Sequence, residues 1–355
     1  MMARVLRRFA EHLGFTRNFS IADSQDQRSL VKTIVKDLNL DDKTFDPRRI
    51  HNSISAAKNR LQGPEAYAKA AGSEFWKSKA AKVYSEYQRR LKANNLMDFD
   101  DLLFYPVLLF KEHPEILRLY QERFRYIMVD EYQDTNGAQY ELIRLLSAAH
   151  HNLCVVGDDD QSIYSFRGAD IRNILEFEKD FPDCKVIKLE QNYRSTGNIL
   201  RAANEVINNN EDRKEKKLWT AAGEGEKITR LGLSDERSEA AFIAGEIKRL
   251  VRSGEVRYKD IGILYRMNVL SRNLEFALNR AEVPFKIYGG LRFFDRKEIK
   301  DTLAYLNLIT SPRDNVAFRR AVYVPRKGIG EGSVAEIQRL ADQHGVSMME
   351  IAMHV

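Results

Sequence analysis

Three short polar segments, each following an apolar run, hold most of the residues in this chain that could do chemistry. The first is Asp130-Glu131-Tyr132-Gln133-Asp134, directly after Tyr126-Ile127-Met128-Val129. Carboxylates at the C-terminal end of a buried parallel strand stand where open α/β sheets bind ligands. There an Asp can hold Mg²⁺ on a nucleotide's phosphates while the Glu beside it, projecting the other way, polarises a water. The same pattern also arises when acidic residues simply cap the next helix. The second segment, 157–170, follows Leu153-Cys154-Val155-Val156 and contains Gln161, an amide suited to sensing a γ-phosphate. It also sets Tyr164 and Phe166, two aromatics spaced two apart, beside Arg167, which together offer a base-stacking platform with a backbone contact. The third segment, 190–196, follows Val186-Ile187-Lys188-Leu189 and places Tyr193, which can stack on a base, beside Arg194, which can reach a transferring phosphate.

Such segments need elements to hold them. The apolar runs 126–129, 153–156 and 186–189, and later 228–233, 261–265 and 285–288, alternate with helical stretches such as 139–149 and 198–208. This alternation predicts βαβ units and parallel sheets covered on both faces, an α/β architecture. The chain before residue 124 differs. Residues 48–92 hold eleven basic and three acidic side chains, an excess larger than the +6 of the whole chain. They are rich in Ala, and Phe75, Trp76, Tyr84 and Tyr87 recur at roughly helical spacing. The stretch is either a solvated helical face or a surface that contacts phosphates. The polar residues 208–217 predict an exposed loop or helix end, and no internal repeat at periods of 20 to 50 residues is present.

Composition bounds the rest. A length of 355 residues predicts two or three domains, and 43% hydrophobic with 30% charged residues excludes collagenous and wholly disordered chains. Two cysteines are too few for a disulfide framework or a four-ligand zinc site; Cys154, inside an apolar run, is expected to be a small buried thiol. A reducing, cytoplasmic compartment is the corresponding expectation. No apolar stretch approaches the ~20 residues of a membrane span, the longest candidate, 102–110, being interrupted by Pro106. The basic N-terminus has no uninterrupted apolar core of the kind a secretory signal needs.

Together the three segments resemble the second, third and fourth motifs of the UvrD/PcrA/Rep group of superfamily 1 DNA helicases, nearest to its PcrA-type members. The resemblance extends to 95–102, to Leu264-Tyr265-Arg266-Met267-Asn268 with Ser271-Arg272, to 288–301 and to 324–330, and so covers essentially the whole chain. It implies RecA-like P-loop motor domains, parallel sheets flanked by helices, with helical insertions. Residues 1–10 and 99–188 would form the first motor domain and 11–98 its basic insertion; 189–290 would form the second, and 291–355 the start of that domain's insertion. The implied ligands are ATP and Mg²⁺, and the implied partners are single-stranded DNA and DNA duplex junctions. By the same resemblance Asp130 holds Mg²⁺ and Glu131 activates the attacking water. Gln161 contacts the γ-phosphate and couples it to DNA, Tyr164 and Phe166 stack on bases of the tracking strand, and Arg167 bridges the nucleotide and DNA sites. Tyr193 packs against the nucleotide and Arg194 acts as an arginine finger. The family most often has Trp where this chain has Phe166, which keeps a π-face.

A P-loop motor also needs Gly-x-x-x-x-Gly-Lys-Ser/Thr to cradle phosphates, and these 355 residues contain none. Gly223-Glu224-Gly225-Glu226-Lys227 and the Gly-rich residues 328–333 lack the spacing and read as turns. The expectation is an internal fragment, with both motor domains incomplete, of a 3′ to 5′ ATP-dependent helicase acting in repair or replication. Two rivals accompany it: a non-catalytic single-stranded DNA-binding module, and a metal-dependent nuclease using Asp130, Glu131, Asp158, Asp159 and Asp160.

Overall fold

A parallel strand pair, a basic helical segment and the acid-tipped pair behind it follow one another along the first half of the chain. The computed structural model describes residues 1–210, 213–214, 216–288, 297–325 and 328–354. They divide into two compact units: Met1–Glu190 with Asn204–Lys217 and Asp301–Val355, and Gln191–Ala203 with Leu218–Lys300.

The first unit begins with α1 (Met2–Arg8) and β1 (Ser20–Ile21). The helices α2 (Ser24–Asp37), α3 (Pro47–Asn59), α4 (Pro64–Ala71) and α5 (Phe75–Ala93) then rise as the basic segment, before β2 (Leu96–Met97) pairs parallel to β1. This pairing brings the start and the end of the segment side by side. Each helix start has a local cause. Asp23 caps α2 by accepting from Gln25 N and Asp26 N, and Pro47 and Pro64 open α3 and α4 where a missing N–H is harmless. The segment has its own core, Val31, Ile34, Ile50, Ile54, Val83, Tyr84, Tyr87 and Leu91 among them. Of the predicted aromatic set, Tyr84 and Tyr87 are wholly buried, whereas Phe75 is exposed.

The charge count in this segment conceals one exception. Lys58 is buried, with Nζ 2.6 Å from Asp98 Oδ2 and 2.8 Å from Asp101 Oδ1. Tyr87 Oη donates to Asp98 Oδ2 at 2.9 Å, and the two Asp residues exchange backbone bonds, Asp98 N to Asp101 Oδ2 at 3.0 Å and Asp101 N to Asp98 Oδ1 at 2.8 Å. A buried charge persists only when paired and hydrogen-bonded in this way. Lys58 therefore belongs to the interior and not to any phosphate-facing surface.

After β2 come α6 (Asp101–Glu112), which runs through Pro106, α7 (Pro114–Arg123), β3 (Ile127–Val129), α8 (Gly137–Ser147) and β4 (Leu153–Val155). β3 and β4 pair in parallel with Ile127 opposite Leu153 and Val129 opposite Val155. Ile127 packs on the cluster formed by α1, α6, α7 and α8, whereas Met128 and Cys154 project the other way and are exposed. The expectation of a buried Cys154 is thus corrected, because period-two alternation turns it to the face that nothing covers among the described residues. Two short helices, α9 (Arg172–Leu175) and α10 (Phe177–Asp180), follow.

The run 186–189 is not a strand; Val186, Ile187 and Leu189 are exposed. α11 (Gly197–Ile207) passes from the second unit into the first. The second unit is built on α12 (Glu236–Arg252) and α13 (Ser271–Arg280), which close over Ala244, Ile247, Leu278 and Val283. The runs 228–233, 261–265 and 285–288 are not strands either. Residues 261–265 keep strand-like alternation, with Ile261 and Ile263 against this core and Leu264 98% exposed, but among the described residues no neighbouring strand supplies a ladder. An apolar run has strand propensity; pairing decides the strand.

The chain returns to the first unit through α14 (Lys297–Thr310), followed by α15 (Asn315–Val322), α16 (Glu331–His344) and α17 (Met348–His354), which share a core of Ala304, Phe318, Val334 and Met348. Val316 also packs on the core of the basic segment, and Asn18 Nδ2 donates to Thr310 O at 3.0 Å. Residues 289–296 of the family-like stretch 288–301, and Arg326 and Lys327 of 324–330, lie outside the described residues. Among the described residues no helix is long and apolar enough to cross a membrane.

Candidate functional site

The parallel ladder of β3 and β4 continues one step past both strands. Val156 N donates to Val129 O at 2.8 Å and Tyr132 N to Val156 O at 3.0 Å, so the acidic loop and the 157–170 loop leave the sheet edge together. Asp130 and Glu131 stand exposed at this end. Glu131 has φ +51° in the left-handed region, a conformation that costs a non-glycine residue roughly 1–3 kcal/mol and clusters at functional sites. Asp130 Oδ1 accepts from Glu131 N at 2.9 Å, and its hard oxygen donors suit Mg²⁺.

Gln133, which the sequence left without a role, fixes the geometry. It is buried, donates from Nε2 to Glu131 Oε2 at 2.8 Å, and accepts at Oε1 from Asp158 N at 3.0 Å. Ser162 Oγ donates to its carbonyl at 3.4 Å. Gly157 makes this approach possible, since a Cβ there would lie 2.6 Å from Gln133 Oε1 and 2.7 Å from the Ile174 side chain. The only signal in the sequence was an amide two residues after the Glu.

Gln161, predicted to sense phosphate, is exposed and donates from Nε2 to Asp158 Oδ2 at 2.8 Å. Burial raises the Asp158 carboxyl, but hydrogen bonds from Lys216 and Gln161 outweigh it and hold the group below the usual carboxylate range. Carboxylate oxygens of Asp158, Asp159 and Asp160 lie within 4.8 Å of one another. Lys216 Nζ already bridges all three, at 2.5, 2.5 and 3.2 Å, and Arg213 Nη2 reaches Asp160 at 2.9 Å. A cation-filled cluster of this kind argues against the nuclease reading; Arg213, Lys214 and Lys216 are tied to the 157–170 loop, whereas Asn208, Asn209 and Asn210 are exposed as expected.

Tyr164 and Phe166 are 36% and 69% exposed, so they are surface rings and not core. Their centroids are 6.0 Å apart, and the Arg167 guanidinium lies 5.0 and 5.5 Å from the two rings. Gly168, at φ +91°, closes this turn. Asp130, Glu131, Gln161, Tyr164, Phe166 and Arg167 thus all belong to the first unit. Tyr193 and Arg194 belong to the second. There Asn192 Oδ1 accepts from Arg194 N at 2.9 Å and Ser195 N at 2.8 Å, and Tyr193, 83% exposed, donates from Oη to Gln191 Oε1 at 2.8 Å.

Comparison with known proteins bears on this arrangement. Residues 1–182 match the family model of the UvrD/REP helicase N-terminal domain, and residues 187–354 that of the UvrD-like helicase C-terminal domain. The chain is 50% identical over 355 residues to the ATP-dependent DNA helicase PcrA of Bacillus subtilis, covering 100% of this chain and 48% of that protein. It is 49% identical over 350 residues to PcrA of Staphylococcus aureus strain Mu50, covering 99% and 48%, and 49% identical over 355 residues to PcrA of Staphylococcus epidermidis, covering 100% and 48%. The chain spans about half the length of these curated relatives. These domains imply a RecA-like α/β fold, of which the described residues show a helix-rich version with few parallel strands. On the strength of both family models and an identity that runs the length of the chain, it belongs to the UvrD/REP helicase family.

Proposed function

We propose that the chain carries working parts of an ATP-driven DNA helicase that tracks 3′ to 5′ along a single strand, in repair or replication. Asp130 would hold Mg²⁺, and that ion, when bound, would neutralise charge on the nucleotide's phosphates. Glu131, held by Gln133, orients and deprotonates the attacking water, while Gln161 senses the γ-phosphate. Arg194 supplies positive charge to the transferring group, and Tyr193 packs against the nucleotide. Tyr164 and Phe166 stack on successive bases of the strand, with Arg167 stiffening the platform and contacting its backbone. Single strands and duplex junctions are the implied DNA partners.

The observation that carries this reading is the exposed Tyr164–Phe166–Arg167 platform on the same loop whose backbone, at Asp158, bonds the glutamine that holds Glu131. Core packing has no use for two rings at the surface, and a simple helix cap has no use for a buried amide that bridges two loops. The test is a fluorescence-anisotropy titration of the chain with labelled single-stranded and blunt duplex oligonucleotides of mixed sequence. Preference for the single strand with little dependence on sequence is expected. Equal affinity for both, or no binding, sinks the strand-tracking role.

A further inference from the structure

Asn59, the last residue of α3, hydrogen-bonds three neighbours and borders two glycines. Its Oδ1 accepts from Asn136 Nδ2 at 2.7 Å, between two side chains that are both buried. Its carbonyl oxygen stands so near α8 that a Cβ at Gly137 would lie 3.1 Å from it. Its side chain faces Gly168, where an added Cβ would lie 3.7 Å from Asn59 Cβ and Nδ2. Its Nδ2 reaches Ser55 Oγ and Asp100 Oδ1, each at 3.4 Å. Asn136 and Gly137 start α8 immediately after the acidic loop, and Gly168 closes the turn that holds Tyr164, Phe166 and Arg167. One side chain of the basic helical segment therefore bonds the residue that follows the acidic loop and borders the turn that closes the platform loop.

Its footing is firm. The preceding residue, Lys58, is the buried cation held by Asp98 and Asp101, so the end of α3 cannot slide without breaking that cluster. The two loops also meet directly, through Asp170 N on Thr135 O at 2.9 Å and Asn173 Nδ2 on the same carbonyl at 3.0 Å. Asn59 adds what that contact lacks, a third element bonded to one loop and bordering the other.

We propose that Asn59 is a positioning residue through which capture of a strand on the Tyr164–Phe166–Arg167 platform is felt at the acidic loop and in the basic helical segment. The inference takes the identity of the platform from the function proposed above, and its test separates the two. Amide hydrogen exchange is measured on the full chain, without DNA, for Asn59→Ala, Asn136→Ser and the double variant, serine keeping a side-chain oxygen to cap α8 as Asn136 does. Each single change should speed exchange about tenfold in both 132–140 and 164–170, the scale of one lost buried hydrogen bond. The double variant should be no faster than the faster single, and the amides of α5 should not change. Effects confined to each variant's own loop, additive effects in the double variant, or general loosening that includes α5 would each overturn the proposal.

With oligo(dT) added, 164–170 should become protected in the native chain and in Asn59→Ala alike, but 132–140 in the native chain only. Protection of 132–140 in both would also overturn it. If oligo(dT) protects neither loop of the native chain and anisotropy stays flat, the strand-binding reading fails, while the exchange cycle without DNA still decides the role of Asn59.

Discussion

A carboxylate beyond the end of a strand swings freely unless a neighbour holds it, and for Glu131 that neighbour is Gln133. Gln133→Ala removes this restraint and also leaves Asp158 N–H without its acceptor. Chemical denaturation should register a loss of about 1–3 kcal/mol, the cost of a buried polar group left unpaired. Phe166→Ala acts differently, because its ring is exposed and supports little packing. Single-strand affinity should fall by roughly 1–3 kcal/mol at every salt concentration, with the salt dependence and the thermal midpoint unchanged. Unaltered affinity in a folded variant would show that the ring stacks on nothing. That the two rings stand exposed beside Arg167 was legible in the sequence, since two aromatics and an arginine set among polar residues have no apolar face to bury. Gln133 was not. Its role depends on how closely Gly157 lets a second loop approach, a distance that no spacing along the chain encodes.

The basic helical segment shows the same boundary at the level of whole elements. Its helices could be read from alanine content and the spacing of Phe75, Trp76, Tyr84 and Tyr87. A count of charges, however, treats Lys58 as surface, whereas folding puts it between Asp98 and Asp101. Lys58→Met should destabilise the chain by about 3–5 kcal/mol in urea titration, because the buried Asp98 carboxylate is left without its cation. The same cluster makes a pH prediction. Burial first, and the nearby Asp98 second, push the Asp101 carboxyl up to about 7. In the folded chain Asp101 therefore keeps a proton that an unfolded aspartate releases near pH 4. The stability this provides is fully present below that range and is lost as pH rises toward about 7. Asp101→Asn, which cannot titrate, should flatten the fall of the thermal midpoint between about pH 4 and 7; an unchanged profile would mean that Asp101 ionises normally. The strands were the less legible elements. β3 and β4 formed where expected, whereas 186–189, 228–233, 261–265 and 285–288 did not, since a ladder needs a partner that a local apolar run cannot specify.

For the molecule as a whole, charge sets the response to salt. Replacing Lys77, Lys79 and Lys82 by Ala should flatten the salt dependence of single-strand binding, by up to about 2 in the slope of log affinity against log salt if each lysine meets a phosphate. An unchanged slope would leave them as a solvated helical face. Nucleotide turnover is a different matter, because Asp130 and Glu131 do not by themselves cradle phosphates and the 355 residues contain no Gly-x-x-x-x-Gly-Lys-Ser/Thr. The polypeptide itself should show no DNA-stimulated ATP hydrolysis above a Glu131→Gln control, and measurable turnover in a coupled assay would contradict this.

The two units are interleaved along the chain, with crossings after Glu190, Ala203, Lys217 and Lys300. A ribosome therefore delivers the second unit entire before it delivers α15, whose Val316 packs on the core of the basic segment. The second unit can close on α12 and α13 as they emerge, while the basic segment gains its contact with Val316 only later. A pause in translation beyond Lys300 would delay that contact and not the second unit, and a single protease cut at any one crossing would free neither unit.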